Sequence, residues 1–180
     1  SALLFMVKIN RASSDELQPW NEMLTNLTKT IRGARTVYAA YLNASLESGI
    51  KKQEARIRVE YQFDRRNIEE FVPQEIKAAQ NLFGAHRDEL IISFDDYSAR
   101  RYASRGQSRL TVAHLKAAEA DYLREKTGNA VTVLLDDTAS ELDAKNTQRL
   151  LELFDSRHQL ILTSVEALTT LPSEWTTIKL

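Results

Sequence analysis

The sequence contains no cysteine, which excludes disulfide bonds and thiolate metal sites and is typical of a protein from a reducing cytoplasm. Its five glycines include no G-x-x-x-x-G-K-[ST] pattern, so the chain has no P-loop. No charge of one sign dominates: the net charge is −1, and any nucleic-acid surface must be a local patch or must form on assembly. The apolar run Leu3–Ile9 is far too short to span a membrane, and it is not flanked like a signal peptide.

The composition is that of a soluble globular protein, with 43% hydrophobic and 27% charged residues. A length of 180 residues is enough for one good core, or for a core lobe with an arm. The first residue is Ser1 rather than methionine. Together with the missing P-loop, this leads us to expect a C-terminal fragment of a longer protein.

Two carboxylates follow a predicted strand in the last third of the chain. Val131–Leu135 is a short, unbroken apolar run of the kind that forms a buried parallel strand. Asp136 and Asp137 come directly after it. Because ligands bind beyond the carboxyl ends of strands in open α/β sheets, two acids there indicate a hard cation with oxygen ligands. The alternative is an ordinary polar loop in which Ser140 and Asp143 serve as caps.

The sequence also predicts a helix start that suits a phosphate. Ser104 is a favourable N-cap, Gln107 stands at the third position after it as in a capping box, and Gly106 lets a ligand approach the backbone. The free N–H groups and the helix dipole then favour a bound anion. We expect this helix to run from about Gly106 to Lys126, with Gly128 as its stop.

A long helix is predicted upstream, beginning near Ser13 or Ser14 and carrying a heptad-like apolar seam. The seam either packs within its own domain or forms an intermolecular coiled coil. Its members recur in steps of three and four: Leu17, Trp20, Leu24, Leu27, Ile31, Ala34, Tyr38, Tyr41 and Ser45.

The remaining predicted elements are strands and helices, and the order of strand Val131–Leu135, helix and strand Leu160–Thr163 implies a right-handed crossover and a parallel sheet. Four arginines in or beside the first predicted strand either contact phosphates or lie on a solvated face: Arg56, Arg58, Arg65 and Arg66. The elements are a strand at Ile57–Phe63, a helix begun by Pro73 and ending near Leu82, a hairpin of Leu90–Phe94 and Arg100–Ala103, a helix at Ala144–Ser156 capped by Asp143, a strand at Leu160–Thr163 and a candidate edge strand at Trp175–Leu180.

Three motifs resemble those of the RecF family of ABC-type ATPases and occur in the same order along the chain as in that family; the resemblance covers residues 15–165. Ser104–Arg109 (Ser-Arg-Gly-Gln-Ser-Arg) resembles the signature, and Leu134–Asp143 (Leu-Leu-Asp-Asp-x-x-Ser-Glu-Leu-Asp) resembles Walker B with the D-loop. Gly84–Leu90 is similar to the Gly-Pro-His-Arg-Asp-Asp-Leu stretch that precedes that signature. Two further fragments fit the helical arm of the family: Glu16-Leu17-x-Pro19-Trp20 and Arg35-x-x-Tyr38.

The resemblance implies an α/β fold, namely the C-terminal lobe of an ABC-type ATPase head with parallel strands and flanking helices, plus a mostly helical arm. Residues 1–75 would form the arm with one strand. Residues 76–180 would form the lobe that carries the signature, Walker B and D-loop. The short arm of this family agrees with the long helix packing within its own domain.

The resemblance also implies a role for each site residue. Asp136 would hold Mg²⁺, and Asp137 would orient the attacking water, in place of the more usual glutamate. Ser104, Arg105, Gly106 and Gln107 would close on the γ-phosphate of ATP bound by a partner's P-loop. The D-loop residues Ser140 and Asp143 would cross the dimer interface, and Thr163 or Ser164 would sense the γ-phosphate. His86 and Arg87 would lie near the catalytic head, or would simply be surface residues.

The function implied is a recombination and repair mediator, an ATP-dependent homodimer that binds double-stranded DNA at gaps and works with RecR and RecO to load RecA. The chain alone is expected neither to hydrolyse ATP nor to dimerise on it, because it lacks the P-loop. Two alternatives stay open: an SMC-like chromosome-organising head and an ABC transporter subunit. Arg105 stands where transporters have glycine, and no histidine follows the strand at Leu160–Thr163.

Overall fold

The computed structural model describes residues 2–49, 56–137, 142–154, 158–164 and 175–178. The chain divides into two compact units, one made of Ser1–Tyr41 and Val59–Ile91, the other of Leu42–Arg58 and Ile92–Leu180. The division predicted at residue 75 stays a prediction. The elements in chain order are α1 (Ala2–Lys8), α2 (Gln18–Gly49), β1 (Ile57–Gln62), α3 (Ile68–Ala78), β2 (Glu89–Phe94), β3 (Tyr97–Ser98), α4 (Ala99–Tyr102), α5 (Arg105–Thr127), β4 (Thr132–Leu135), α6 (Ala144–Glu152) and β5 (Gln159–Leu162), with 3-10 turns at Ser14–Leu17 and Ala85–Arg87.

The pair β4–β5 is parallel, with Thr132 opposite Gln159 and Leu135 opposite Leu162. The helix α6 lies between these strands in the sequence, and the predicted strand–helix–strand unit is therefore confirmed. One hydrophobic core joins strand β4 to the two helices: Ala113 and Ala120 of α5, Val133 and Leu135 of β4, and Leu150 and Phe154 of the α6 segment. These parallel strands with flanking helices confirm the α/β class.

Only one face of β4 is buried. Val133 and Leu135 point into the core, whereas Thr132 and Leu134 are exposed, Leu134 to 70%. The apolar run predicted a fully buried strand, and that part of the prediction is wrong for the face that carries Thr132 and Leu134. Successive side chains of a strand point to opposite sides, and within the described residues α5 and α6 both supply the core to the same side.

Two local signals place the helices of this unit. Asp143 caps α6, since its Oδ1 accepts a hydrogen bond from the Asn146 N–H at 2.7 Å. Gly128 ends α5 in the left-handed conformation, with φ of 73°, and its N–H donates to the Arg124 carbonyl at 2.8 Å. Both ends agree with the sequence prediction.

The long helix α2 is confirmed, but its buried face differs from the predicted seam. Leu17 is buried, and Leu24 packs against the cluster of Ile68, Phe71 and Phe83. Three predicted seam residues are instead exposed, to 63%, 50% and 41%: Trp20, Leu27 and Ile31. Thr28 is buried in their place, which means that the helix is rotated about its axis relative to the pattern of its apolar residues.

The helix predicted to begin at Pro73 begins earlier, at Ile68. Asn67 precedes it, and the Glu70 side chain accepts a hydrogen bond from the Asn67 N–H at 3.0 Å. Pro73 lies inside the helix, where it removes one N–H donor. The missed signal is the Asn-x-x-Glu pattern of a capping box at residues 67–70, which outweighs the preference of proline for the first turn.

The predicted hairpin turns at Asp95–Asp96, where Phe94 pairs with Tyr97 in an antiparallel β2–β3 ladder. Both aspartates have positive φ, 48° and 65°, as a two-residue hairpin turn requires. The strand expected at Arg100–Ala103 is wrong, because the short helix α4 occupies that segment. The described part of the candidate edge strand, Trp175–Ile178, is not a strand either. No helix in the described ranges has both the length and the apolar character needed to cross a membrane.

Candidate functional site

The carboxyl ends of β4 and β5 bring three of the predicted site residues together. Asp136 and Asp137 follow β4, and Thr163 follows β5. The Thr163 hydroxyl donates to the Asp136 carboxylate at 2.6 Å and accepts a hydrogen bond from the Asp137 N–H at 3.0 Å. Thr163 is itself held by its N–H, which donates to the Leu135 carbonyl at 3.0 Å. Neighbouring parallel strands end at one edge of the sheet, and this edge presents two exposed carboxylates and a hydroxyl.

Arg109 is a member of this site that sequence reasoning passed over. It lies in the second turn of α5, and its Nη1 donates to the Asp137 carbonyl at 3.2 Å. Arg109 is the last residue of the signature-like motif, but the sequence contains no signal for this contact. The contact depends on how α5 packs against the end of β4, which is a tertiary property.

A cavity of about 350 Å³ opens beside Asp136. It carries one carboxylate and two cationic side chains, those of Arg109 and Lys116, and Lys116 also donates to the Glu119 carboxylate at 2.6 Å. The residues that line the cavity are Ser108, Arg109, Val112, Ala113, Lys116, Leu135 and Asp136.

The donor set at the strand end fits magnesium held jointly with a ligand. Within the described parts of the chain, no three His, Cys, Asp or Glu side chains lie together as a metal cage. Mg²⁺ commonly keeps several waters and is bound through one or two carboxylates together with phosphate oxygens. The exposed carboxylate of Asp136 beside the Thr163 hydroxyl matches that pattern.

The start of α5 is a complete capping box. The Gln107 N–H donates to the Ser104 hydroxyl at 3.2 Å, and the Ser104 N–H donates to Oε1 of Gln107 at 2.8 Å. Helix geometry leaves the N–H groups of Arg105 and Gly106 without an intrahelical acceptor. Arg100 and Arg101 are exposed just before this turn, as Arg105 is within it. The local charge is therefore strongly positive, which favours an anion.

Packing does not explain the glycine in this turn. A Cβ built at Gly106 would meet no atom within 4 Å outside its own helix backbone, and the residue has an ordinary helical φ. Glycine inside a helix is usually unfavourable relative to alanine. Packing within the described residues therefore leaves the backbone at Gly106 open to approach.

The structure describes one of the two predicted D-loop residues. Ser140 lies outside the described residues. Asp143 is exposed, and both of its carboxylate oxygens accept from Asn146, Oδ1 from the backbone N–H at 2.7 Å and Oδ2 from Nδ2 at 3.2 Å. The capping role that the sequence offered as an alternative is thus present. A D-loop role for Asp143 stays a prediction.

His86 and Arg87 lie exposed on a 3-10 turn in the other unit. Gly84 before the turn has φ of 131°, and a Cβ there would lie 2.9 Å from Nδ1 of His86. The Arg87 Nη2 donates to the Asn81 carbonyl at 2.9 Å, and Arg35 donates to the Ala85 carbonyl. The turn is therefore held in one conformation that presents the His86 ring.

A buried ion pair fixes the end of the same turn, and sequence reasoning missed it. Arg32 donates to both oxygens of Asp88, and the Tyr61 hydroxyl donates to Oδ2 of the same carboxylate. Burial raises the pKa of Asp88, but the hydrogen bonds from Arg32 and Tyr61 outweigh it and hold the pKa below its ordinary value. The hydrogen bond to Asp88 likewise raises the pKa of Arg32.

Comparison with known proteins agrees with these motifs. The chain is 32% identical over 173 residues, 91% of its length, to the DNA replication and repair protein RecF of Moorella thermoacetica, and it covers 47% of that protein. It is 30% identical over 185 residues to RecF of Chlorobium phaeobacteroides, covering 92% of this chain and 51% of that protein. This chain is a homologue of the RecF proteins.

The similarity extends to the fold. A solved structure of the recombination mediator protein RecF-ATPrS in the RecFOR pathway matches with a TM-score of 0.75 at 24% identity, covering 92% of this chain and 49% of that one. The RecF-ATP structure of the same pathway matches with a TM-score of 0.72 at 23% identity, covering 91% and 48% of the two chains. The chain spans about half the length of the RecF relatives that match most of it. No protein-family model matches the chain.

Proposed function

We propose that this chain is part of a DNA recombination and repair mediator ATPase that binds double-stranded and gapped DNA as an ATP-dependent homodimer. Its RecF relatives are named DNA replication and repair proteins, and the matching solved structures are RecF with ATPrS and with ATP. The observation that carries the proposal is the group of Asp136, Asp137 and Thr163 at one sheet edge, joined by hydrogen bonds of 2.6 Å and 3.0 Å.

In this proposal the strand end holds the metal and the water of ATP hydrolysis. Asp136, with Thr163 hydrogen-bonded to it, would bind Mg²⁺ on the phosphates and so neutralise charge that develops during transfer. Asp137, next in the chain, would orient the attacking water as its base. Thr163 would also sense the γ-phosphate. Because aspartate is one methylene shorter than glutamate, we expect turnover to be slow.

The start of α5 would act across the dimer. Ser104, Arg105, Gly106 and Gln107 would bind the γ-phosphate of ATP held by the other subunit, while Ser140 and Asp143 cross the interface. ATP would then add contacts that two empty subunits lack, which stabilises the dimer by mass action. Hydrolysis would remove those contacts and release the DNA. The positive start of α5 and the open space beside Gly106 in the described structure support this role.

The wider setting follows from the pathway of the relatives. A cytoplasmic, nucleoid-associated protein would use RecR and RecO as partners to place RecA on single-stranded gaps, in replication-coupled repair and the SOS response. The chain by itself would neither hydrolyse ATP nor dimerise on it, since the sequence lacks a P-loop.

Sedimentation velocity on the protein as its gene encodes it tests the proposal. ATP with a gapped duplex is expected to convert the wild type to a dimer. Ser104→Arg is expected to stay monomeric, because a long cation replaces the cap hydroxyl at the proposed phosphate site. Ser48→Arg adds the same charge at an exposed position of α2 and is the matched control. A wild type that stays monomeric with ATP and DNA would sink the proposal.

A further inference from the structure

Asp137 has a left-handed backbone conformation, which aspartate adopts more readily than most L-residues. Its φ is 47°, in the left-handed region that L-residues rarely occupy. The chain leaves β4 at Leu135 and turns within two residues, so this conformation decides where the Asp137 carboxylate points. Contacts that fix this conformation therefore also fix the direction of the carboxylate.

Two side chains from different elements hold the peptide groups on either side of Asp137. Thr163 accepts a hydrogen bond from its N–H at 3.0 Å, and Arg109 donates to its carbonyl at 3.2 Å. Thr163 is tied to the sheet through the ladder bond from its own N–H to the Leu135 carbonyl. Arg109 instead comes from α5, so the second contact ties the residue to a helix outside the sheet.

We propose that Arg109 is a positioning residue for Asp137. Through its guanidinium, Arg109 couples the start of α5 to the orientation of the Asp137 carboxylate. This inference rests on the proposed function. Arg109 lies five residues after Ser104, or about 7.5 Å along the helix axis at 1.5 Å per residue. A helix transmits displacement over so short a distance as a rigid body. Binding of a partner's phosphate at the start of α5 would thus be felt at the Asp137 carbonyl through the Arg109 guanidinium.

The coupling predicts a specific kinetic signature. Loss of the Arg109 contact would misorient Asp137 without removing any group that binds nucleotide in the same subunit. The turnover number would therefore fall while KM for ATP stays near its wild-type value. A small displacement of a catalytic group is worth about 10- to 100-fold in rate.

The variants are Arg109→Met, which keeps the apolar stem and removes the guanidinium, and Arg109→Lys, which keeps one donor. Lys126→Met removes a cation from the last turn of the same helix and is the control. ATP turnover with DNA is measured on the protein as its gene encodes it. We expect kcat of Arg109→Met to fall at least about tenfold with KM within about twofold, partial recovery in Arg109→Lys, and no change in Lys126→Met.

A second measurement needs neither nucleotide nor activity. Hydrogen–deuterium exchange of the peptide that contains Asp137, followed by mass spectrometry, reports whether its N–H stays bonded to Thr163. We expect faster exchange in Arg109→Met in this peptide alone, with an unchanged melting temperature. If exchange accelerates but the wild type has no ATPase activity, the positioning contact stands and the proposed function fails.

Three outcomes would overturn the inference. Unchanged exchange at Asp137 in Arg109→Met would show that the guanidinium does not hold this turn. A wild-type kcat in an active protein would show that the contact has no catalytic consequence. A lower melting temperature, with faster exchange throughout the chain, would show that Arg109 has a general structural role instead.

Discussion

Arg32 and Asp88 form a two-pronged ion pair: Nε donates to Oδ2 at 3.0 Å and Nη2 donates to Oδ1 at 2.8 Å. The two residues are 56 positions apart in the sequence, and only 1% of the Asp88 side chain is exposed. Parallel N–H donors of a guanidinium match the two oxygens of a carboxylate, which makes the pair directional as well as strong. The pair holds the end of the turn that presents His86.

Removal of Asp88 is therefore expected to destabilise the protein. Asp88→Ala leaves the largely buried guanidinium of Arg32 without its partner, and we expect a loss of about 3 kcal/mol in the free energy of unfolding. Asp64→Ala, which breaks the exposed pair with Arg66 and the hydrogen bond from the Arg66 N–H to Oδ1, is the control and is expected to lose much less stability than Asp88→Ala. Urea denaturation measures the free energy of unfolding of both variants. Equal losses in the two variants would contradict the view that the Arg32–Asp88 pair matters because it is buried.

Two glycines respond oppositely to alanine. At Gly84 the φ of 131° and the His86 ring at 2.9 Å both oppose a Cβ, so Gly84→Ala is expected to cost at least about 1 kcal/mol. At Gly33, inside α2, no atom lies within 4 Å of a built Cβ, and Gly33→Ala is expected to stabilise by about 0.5–1 kcal/mol. Thermal unfolding distinguishes the two. A neutral Gly84→Ala variant would mean that the turn relaxes freely.

Gly106→Ala separates stability from function. The substitution meets open space and replaces glycine in the first turn of α5, so we expect stability to rise by no more than about 0.5 kcal/mol. ATP-dependent dimerisation is nevertheless expected to weaken, since the methyl group obstructs approach to the backbone at the helix start. Thermal unfolding and sedimentation with ATP are measured on the same samples. A more stable variant that dimerises normally would remove Gly106 from the proposed site.

Mild acid is expected to destabilise the protein through His114 in α5. Burial lowers the pKa of His114 from its ordinary value of 6.5, so the unfolded chain binds a proton before the folded one does. Stability from this group is thus present above pH 6.5 and declines as the pH falls toward the folded-state pKa. His114→Gln is expected to flatten the decline of the urea midpoint between about pH 7.5 and 5.5. An identical slope in the variant would exclude His114 as the cause.

Much of the site was predictable because its signals are local. A cap at Ser104, a matching Gln107 and a stop at Gly128 act within a few residues of the helix ends they define, and α5 forms where they indicate. The same is true of Asp143 before α6. The errors arose where two local preferences competed, as at Asn67 and Pro73, or where a helical turn replaced a predicted strand after Ser98.

The sequence by itself determined the helices α5 and α6, the parallel β4–β5 pair and the place of Asp136 and Asp137 at a strand end. Only the tertiary structure decided that Arg109 reaches the Asp137 carbonyl and that Thr28 rather than Leu27 is buried on α2. The reason is physical. Caps and periodicity are fixed by free energies between near neighbours in the chain, whereas the rotation of a helix about its axis depends on the summed packing of every element it touches.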